Sequence, residues 1–542
     1  MDKTYKIRTV FIFFVFCIFF TIGIFNLYTL QITKHLFFKN LAHQQYFITV
    51  TTQPPRALIL DRNGIPLAQN KEVLSAFMLP RTLKNKPELK KFLHLYFPEA
   101  AQRLEKKAGQ HFLFIKRNVT ETEKMLIEQS GLSDIQFLTE QGRLYPHEST
   151  GTIVGLTDID NHGIFGVELQ CEKQLSGQPS TMILEKDARS GRFYFSKQTI
   201  KEGTLGTPVQ LTIDSNLQFL VTEELRETIA KCGSVEGAAI IMNPDTGEIL
   251  AMVAFPIFNP NDTHTIDQSL TKNTAITETY EFGSVIKTFC ALAALEEKVV
   301  TPEEEIDCMG VKTAYVEGRR INTVHELGKA PFIDVIADSN NIGIAKIAMR
   351  LGPKLYDHYR LMGFGSKTGV PFPGEQGGFV MPPARWSAQS IISLSYGYEI
   401  TSTLLQLARI FCIFTNDGHL ITPKLFSDQI TPAPKKIYST ATIDIMRMIL
   451  EKTTTKGTAR YAHVKGYKTL GKTGTSNLLE NGMYNPNKNL FSFTGIIEKD
   501  NYKRVISCFV REAKRHDVYA ATITAPLFER IAEKMLLHDH IL

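Results

Sequence analysis

The chain has no C-x-x-C pair and no histidine-cysteine grouping at metal spacing, so its seven cysteines, at 17, 171, 232, 290, 308, 412 and 508, give no sign of a zinc site or other metal centre. Six of them lie beyond the N-terminal apolar run, and their positions alone select no disulfide pairing. Cys290 follows Lys287 by one helical turn and reads as a packed small hydrophobe. There is no internal repeat, no low-complexity segment and no basic stripe interleaved with aromatics. A net charge of +6 over 542 residues is mild, which excludes nucleic acid as an expected partner. The lysines between Lys84 and Lys91 fit a solvated helix face.

Charge is also missing locally. Between Val10 and Leu30 no ionisable side chain occurs apart from Cys17 and Tyr28, and 21 residues at about 1.5 Å each give roughly 30 Å, the depth of a bilayer core. Lys3, Lys6 and Arg8 precede the run, which predicts a cytoplasmic N-terminus and an extracytoplasmic remainder from about Thr33 onward. The run is longer than a signal-peptide core and lacks a small-residue cleavage site after Leu30, so it is expected to persist as an anchor.

Three short strings then occur in order: Ser284-Val285-Ile286-Lys287, Ser339-Asn340-Asn341, and Lys472-Thr473-Gly474-Thr475 after Gly471. Alone each is cheap, because a chain of this size holds about two S-x-x-K matches by chance. Two decoys exist here, Ser269 to Lys272 and Lys367-Thr368-Gly369. The first lies in a polar stretch, Thr263 to Lys272, and the second in a glycine- and proline-rich segment with loop chemistry. Ser284 instead opens an apolar helical pattern through Ile286, Phe289, Cys290, Leu292 and Leu295. Around Lys472, the segments Gly466 to Leu470 and Phe491 to Ile497 predict two strands flanking a polar break.

These residue types suit acyl transfer. A serine hydroxyl needs an adjacent base, and a lysine serves only when neutral. Burial and a second nearby cation both lower a lysine pKa, conditions that Lys287 in an apolar helix and Lys472 brought close would meet. Ser339 fits a proton relay between the lysines and a leaving amine, and the Asn341 amide fits a group holding Lys287 and a substrate carbonyl. Thr473 and Thr475 offer hydroxyls to a carboxylate, and the backbone N–H groups of Ser284 and Thr475 form the expected oxyanion hole.

The expected fold is α+β in layers. Residues 1–34 form the tip and single transmembrane helix, 35–207 a strand-rich non-catalytic pedestal, and 208–542 a catalytic domain with an antiparallel sheet and a helical cluster. The pedestal carries glycine turns at Asp160 to Gly166 and at Ser190-Gly191. Expected elements are a strand over Val209 to Asp214, helices over Leu217 to Ile229, Val285 to Glu297, Ile342 to Leu351, Thr403 to Phe414 and Pro526 to Leu537, and a hairpin about Asn243 to Gly247.

Together the strings make the chain resemble the class B penicillin-binding proteins over nearly its whole length. Arg56 to Gly64 is similar to that family's R-G-x-I-x-D-R-N-G segment. Arg143-Leu144-Tyr145-Pro146, Gly166-Val167-Glu168, Leu211 to Asp214, Asp245 to Met252 and Thr368-Gly369 with Pro373-Gly374-Glu375 follow in family order. Gly466-Tyr467 before Gly471 resembles the division-type branch. The resemblance implies a bitopic inner-membrane enzyme with its catalytic domain in the periplasm and no cofactor. Such an enzyme cross-links peptidoglycan stem peptides ending in D-Ala-D-Ala and is acylated by β-lactams. Its implied roles are Ser284 as nucleophile, Lys287 as base, Ser339 as relay, Asn341 as orienting amide, and Lys472, Thr473, Gly474 and Thr475 as the carboxylate-binding strand. A membrane-embedded glycosyltransferase and division proteins are the implied partners, since no glycan polymerase fits before residue 208. Four positions depart from the family pattern: Ala57 for glycine, Phe282 for proline, Glu399 for glycine and Leu404 for proline. Of these, Phe282 and Glu399 are placed to reshape the site rim. An elongation-type transpeptidase, a D,D-carboxypeptidase, a β-lactamase or β-lactam sensor, and a silent division scaffold are the alternatives, and the chain offers no residue assigned to activate a deacylating water.

Overall fold

A computed structural model describes residues 3–81, 83–107, 109–110, 112–186, 193–262, 268–514 and 519–541. The Ser190-Gly191 turn and the first residues of the decoy stretch, 263–267, lie outside them. The chain divides into two compact units that do not follow chain order: Met1–Pro55 with Ser176–Gly206, and Arg56–Leu175 with Thr207–Leu542.

The first unit opens with a helical run, Lys3–Thr33, of 31 residues, whose most apolar 18-residue stretch has a mean hydropathy of 2.6 and is not buried against protein. At 1.5 Å per residue this is roughly 45 Å, enough to cross a bilayer with its flanks. Thr9, Thr21 and Thr29 donate their hydroxyls to the carbonyls four residues back, each at 2.8 Å. Their polar atoms are thereby satisfied inside the helix, as an apolar surround demands. The unit continues as a helix, His35–Tyr46, and an antiparallel sheet of Phe47–Thr52, Ser180–Lys186 and Phe193–Lys201 in that order.

The second unit is built on a five-stranded antiparallel sheet. We number its strands β1 (Glu236–Met242), β2 (Ile249–Phe255), β3 (Lys468–Glu480), β4 (Met483–Lys499) and β5 (Tyr502–Arg511), and their spatial order is β2-β1-β5-β4-β3. The β1–β2 hairpin turns at Asn243 to Gly247, as the sequence predicts. One face of the sheet is covered by α1 (Ser215–Cys232) and α6 (Ala520–His538), whose Leu217, Val221, Leu225, Phe528, Ile531 and Met535 pack on Ala239, Ile241, Phe493 and Ile506. The other face carries the helical cluster of α2 (Lys287–Glu296), α3 (Asn341–Leu351), α4 (Leu404–Phe411) and α5 (Thr440–Thr455). Helix α2 is buried on every side from Lys287 to Leu295, which places it at the centre of this layer.

Three expectations need correction. Only Val209–Gln210 of the Val209 to Asp214 segment is a strand, paired parallel to Ile59–Leu60, because the N–H groups that follow go to separate segments, Thr212 to Leu425 and Asp214 to Leu250; Asp214, still extended, caps α1 by accepting from the Asn216 and Leu217 N–H groups at 3.0 Å. Lys472 to Thr475 is no break between strands but the interior of β3, whose hairpin turn comes only after Glu480. Helix α6 starts six residues before Pro526, with Tyr519 and Thr522 capping it and the proline held inside. In the N-terminal region, the helix Lys86–Tyr96 buries Leu89 and Leu93 and exposes its lysines, as its charge pattern predicts.

Motifs far apart in sequence meet in a buried polar knot. Arg56 Nε donates to Glu168 Oε2 at 2.6 Å, Arg143 Nε to Glu168 Oε1 at 2.8 Å, and Arg143 Nη2 to the Ala57 carbonyl at 2.8 Å. Asp61 accepts from the Ser215 hydroxyl at 2.8 Å, and Asn63 donates to Asp214 at 2.9 Å, which ties this segment to the cap of α1. Glu168 is fully buried, so Glu168→Ala leaves the Arg143 guanidinium without a carboxylate. We expect a loss of about 3–5 kcal/mol, read as a lowered urea midpoint of the full chain in detergent, with Glu168→Gln recovering part of it.

Candidate active site

The nucleophile string lies on a short 3-10 turn, Gly283–Ile286, that runs straight into α2 at Lys287. In such a turn side chains three residues apart eclipse, so Ser284 and Lys287 share one edge more closely than α-helical spacing gives. The turn presses against β3 at two glycines. Gly283 has φ +52°, and a Cβ on it would overlap the Thr475 carbonyl, while a Cβ on Gly474 would overlap the Phe282 carbonyl oxygen. Only glycine lets these two backbones meet, which brings the Ser284 and Thr475 peptides to the same place. Ser284 is half-buried, and its hydroxyl has no hydrogen-bond partner among the described residues.

Lys287 and Lys472 are fully buried and converge on Ser339. Lys287 Nζ donates to the Ser339 carbonyl at 2.6 Å and to its hydroxyl at 3.1 Å, and Lys472 Nζ donates to the same hydroxyl at 2.9 Å. With both lone pairs engaged, the hydroxyl proton of Ser339 is free to be donated elsewhere. Ser339 has a left-handed backbone, φ +57°, a conformation that costs a non-glycine residue energy and is retained here at the meeting point of the two amines. Asn340 explains why the string has an asparagine in its middle: its Oδ1 accepts from Gly343 N–H at 2.9 Å and caps α3. The Asn341 amide nitrogen donates to the Asn322 carbonyl at 2.6 Å.

Strand alternation divides the third string between two faces. Lys472, Gly474 and Ser476 face the nucleophile turn, with the Ser476 hydroxyl donating to the Glu281 carbonyl. Thr473 and Thr475 lie on the other face of this edge strand, where Thr473 Oγ1 is 3.3 Å from Thr458 Oγ1 and Thr475 Oγ1 accepts from Ala520 N–H at 3.4 Å. The decoys go elsewhere. Thr368 is buried and bonds Glu375 Oε1 through its N–H at 2.6 Å and its hydroxyl at 2.5 Å, which makes that K-T-G a structural loop.

Burial sets the charge of the lysines. It lowers Lys287 far below the usual lysine range, and the neighbouring Lys472 lowers it further. Burial also brings Lys472 down to about 7, against a partial opposing pull from the Asp338 carboxylate. Asp338 itself is raised by burial and by Asp334. Sequence reading missed Asp338 and Thr458; the first adjoins Ser339 in the chain and was within reach of inspection, whereas the second is joined to Thr473 only by folding.

A serine on a glycine-backed turn, beside two buried lysines bridged by a second serine, is the arrangement of a serine acyltransferase. Family comparisons agree with it. The model of the penicillin binding protein transpeptidase domain matches residues 237–533, and that of the penicillin-binding protein dimerisation domain matches residues 51–211. A probable peptidoglycan D,D-transpeptidase, PbpC, of Pseudomonas aeruginosa is 29% identical over 511 residues, which cover 93% of this chain and 90% of that protein. The peptidoglycan D,D-transpeptidase FtsI of Escherichia coli K12 is 27% identical over 490 residues, covering 88% of this chain and 82% of its own. Penicillin binding protein 3 of Mycobacterium tuberculosis, solved with aztreonam, superposes with a TM-score of 0.70 at 24% identity, covering 91% of this chain and 98% of that one. The chain belongs to the penicillin-binding protein transpeptidases, in class B.

The lysine pair predicts the pH dependence of acylation. Lys472, brought down to about 7, takes up a proton as pH falls through neutrality, and its charge then helps to hold Lys287 neutral, so the base survives below neutrality. The rate of penicillin acylation, followed by stopped-flow fluorescence, is expected to stay within about threefold between pH 8 and 6 and to fall only at lower pH, where Lys287 itself takes up a proton.

Proposed function

We propose that the protein is the D,D-transpeptidase that cross-links peptidoglycan stem peptides during septal wall synthesis, with Ser284 as its nucleophile. The observation that carries this reading is the Ser339 hydroxyl held 3.1 Å from Lys287 and 2.9 Å from Lys472, a proton relay beside the nucleophile turn. In the first half-reaction Ser284 Oγ gives its proton to neutral Lys287 and attacks the carbonyl carbon of the penultimate D-Ala. The backbone N–H groups of Ser284 and Thr475 hold the oxyanion. Collapse breaks the peptide bond, and the departing D-Ala amine takes a proton from Ser339, which Lys472 or Lys287 restores. In the second half an acceptor amine attacks the ester and its excess proton returns along the same path. A β-lactam acylates Ser284 by the same attack, but its amine remains tethered after ring opening.

Asn341, with its amide donated to Asn322, orients the far wall of the cleft, and Thr473, Gly474 and Thr475 form the carboxylate-binding strand. The septal role is supported by the likeness to FtsI of Escherichia coli, together with 28% identity over 519 residues to the stage V sporulation protein D of Bacillus subtilis. We further assign residues 1–34 to the tip and anchor, 35–207 to a non-catalytic pedestal and 208–542 to the catalytic domain. The single N-terminal apolar helix anchors the chain in the inner membrane with the catalytic domain in the periplasm, where a membrane-embedded glycosyltransferase and division proteins are its partners.

Intact-mass analysis of the full chain in detergent with a fluorescent penicillin tests the assignment. Wild type is expected to carry one stable adduct, Ser284→Ala none, and Lys287→Ala to react at least about 100-fold more slowly. A rapidly turned-over adduct would mean a β-lactamase, and a folded wild type without adduct would leave the scaffold reading.

A further inference from the structure

One carboxyl at the rim of this site has no role in the chemistry above, yet three segments that form the cleft converge on it. Glu281 lies three residues before Ser284. Its Oε1 accepts from the Glu399 N–H at 2.9 Å and from the Tyr484 hydroxyl at 3.0 Å, and its backbone carbonyl accepts from the Ser476 hydroxyl. The next layer repeats the pattern. Tyr280 and Ser402 pair through N–H to carbonyl bonds of 2.9 and 3.0 Å, Asn477 N–H donates to the Tyr398 hydroxyl at 3.3 Å, and the Gly397 backbone packs on the Gly283 carbonyl. The turn through Gly397, Tyr398 and Glu399 thus forms the back of the nucleophile turn. Its least comfortable residue is Glu399, left-handed at φ +61°. A side chain in that conformation is strained and persists only where the surroundings hold it. The Glu281 carboxyl is what bonds its N–H.

We propose that Glu281 is a positioning residue for acylation: by holding the strained Glu399 backbone and Tyr484 it fixes the turn against which Gly283 and Ser284 rest, and it holds more firmly when ionised than when neutral. This inference rests on Ser284 being the nucleophile. A charged carboxylate accepts hydrogen bonds more strongly than a neutral acid does. Burial pushes the Glu281 carboxyl up to about 7, and the Glu399 carboxylate raises it further against the lowering pull of the Glu399 N–H and Tyr484 O–H. The titratable groups facing it are Glu399 and Tyr398 from the turn and Tyr484 from β4; β3 contributes only uncharged Ser476 and Asn477. Burial raises Tyr398 and Tyr484, so both stay neutral in this range. Farther along the hairpin, Glu480 and Lys488 pair with each other. Glu281 therefore changes charge within the working range of the lysine pair, without a cation to neutralise it among the described residues.

The test compares wild type, Glu281→Ala and Glu281→Gln as full chains in detergent, resolving the acylation rate constant k2 and the dissociation constant Kd for a fluorescent penicillin from pH 5.5 to 8.5. Glu281→Ala should lower k2 about tenfold with Kd changed less than twofold, because the nucleophile turn moves while the ligand surface remains. Glu281→Gln keeps a neutral acceptor, so its k2 should match wild type at pH 5.5 and fall to about a third of it at pH 8.5. Taking the ratio of the two removes the lysine titration, which both proteins share. A ratio flat in pH, or an alanine variant with wild-type k2, overturns the proposal while leaving the active site intact. If Glu281→Ala does not fold, the glutamine ratio decides alone. A folded wild type that is not acylated removes the nucleophile assignment and this inference with it.

Discussion

Two lysine amines share one serine hydroxyl in a region closed to water, and much of the catalytic unit can be understood as what that arrangement requires. Among the described residues neither Lys287 nor Lys472 has a carboxylate within ion-pair distance; they are satisfied by the Ser339 carbonyl and hydroxyl and by the Thr473 carbonyl at 3.2 Å. Oxygen acceptors without formal charge meet the hydrogen-bonding needs of an amine but do not repay the loss of hydration of an ammonium. The cheapest state is therefore one in which the pair carries fewer than two protons, which is the state a general base needs. Asp338 tempers this by acting on Lys472.

Keeping such a pair dry is the task of the helical layer. Helix α2 is apolar on all sides, with Phe289, Leu292 and Leu295 packed among α3, α4 and α5, and it delivers Lys287 from its first turn. The sheet delivers Lys472 from its edge strand, whose outer edge is paired with no other strand among the described residues. Nothing short of close backbone contact would align the two, and Gly283 and Gly474 permit it. Two of the chain's left-handed non-glycine residues, Ser339 and Glu399, lie beside the cleft, and each is fastened by hydrogen bonds from more than one segment or capped by a following helix.

The motifs nearer the membrane serve a different purpose. Arg56, Asp61, Asn63, Arg143 and Glu168 contribute nothing to proton transfer. Arg56 and Arg143 hold Glu168 in buried charge pairs within Arg56–Leu175, while Asp61 and Asn63 join that stretch to Thr207–Leu542 through Ser215 and the cap of α1. Buried ionic contacts of this kind tolerate few alternative arrangements, since a misplaced partner leaves an unpaired charge. They therefore specify how the segments that carry Arg56, Arg143 and Glu168 meet.

What the sequence determined by itself was whatever depends on neighbours along the chain. The apolar run that becomes the Lys3–Thr33 helix, the hairpin about Asn243 to Gly247 and the buried α2 were all legible from spacing and polarity. Family motifs extended this to Ser339 and Lys472. The tertiary structure decided the rest, because it depends on contacts between distant residues. It placed Lys472 to Thr475 inside a strand, since pairing with Phe491 to Thr494 outweighs the local polarity of the string. It limited the Val209 strand to two residues by sending the following N–H groups to separate segments, and it bonded the Asn341 amide to the Asn322 carbonyl. It also gave Glu281 its environment: in the sequence this is one acid among many, and only the fold surrounds it with a strained turn, a tyrosine and a second carboxylate.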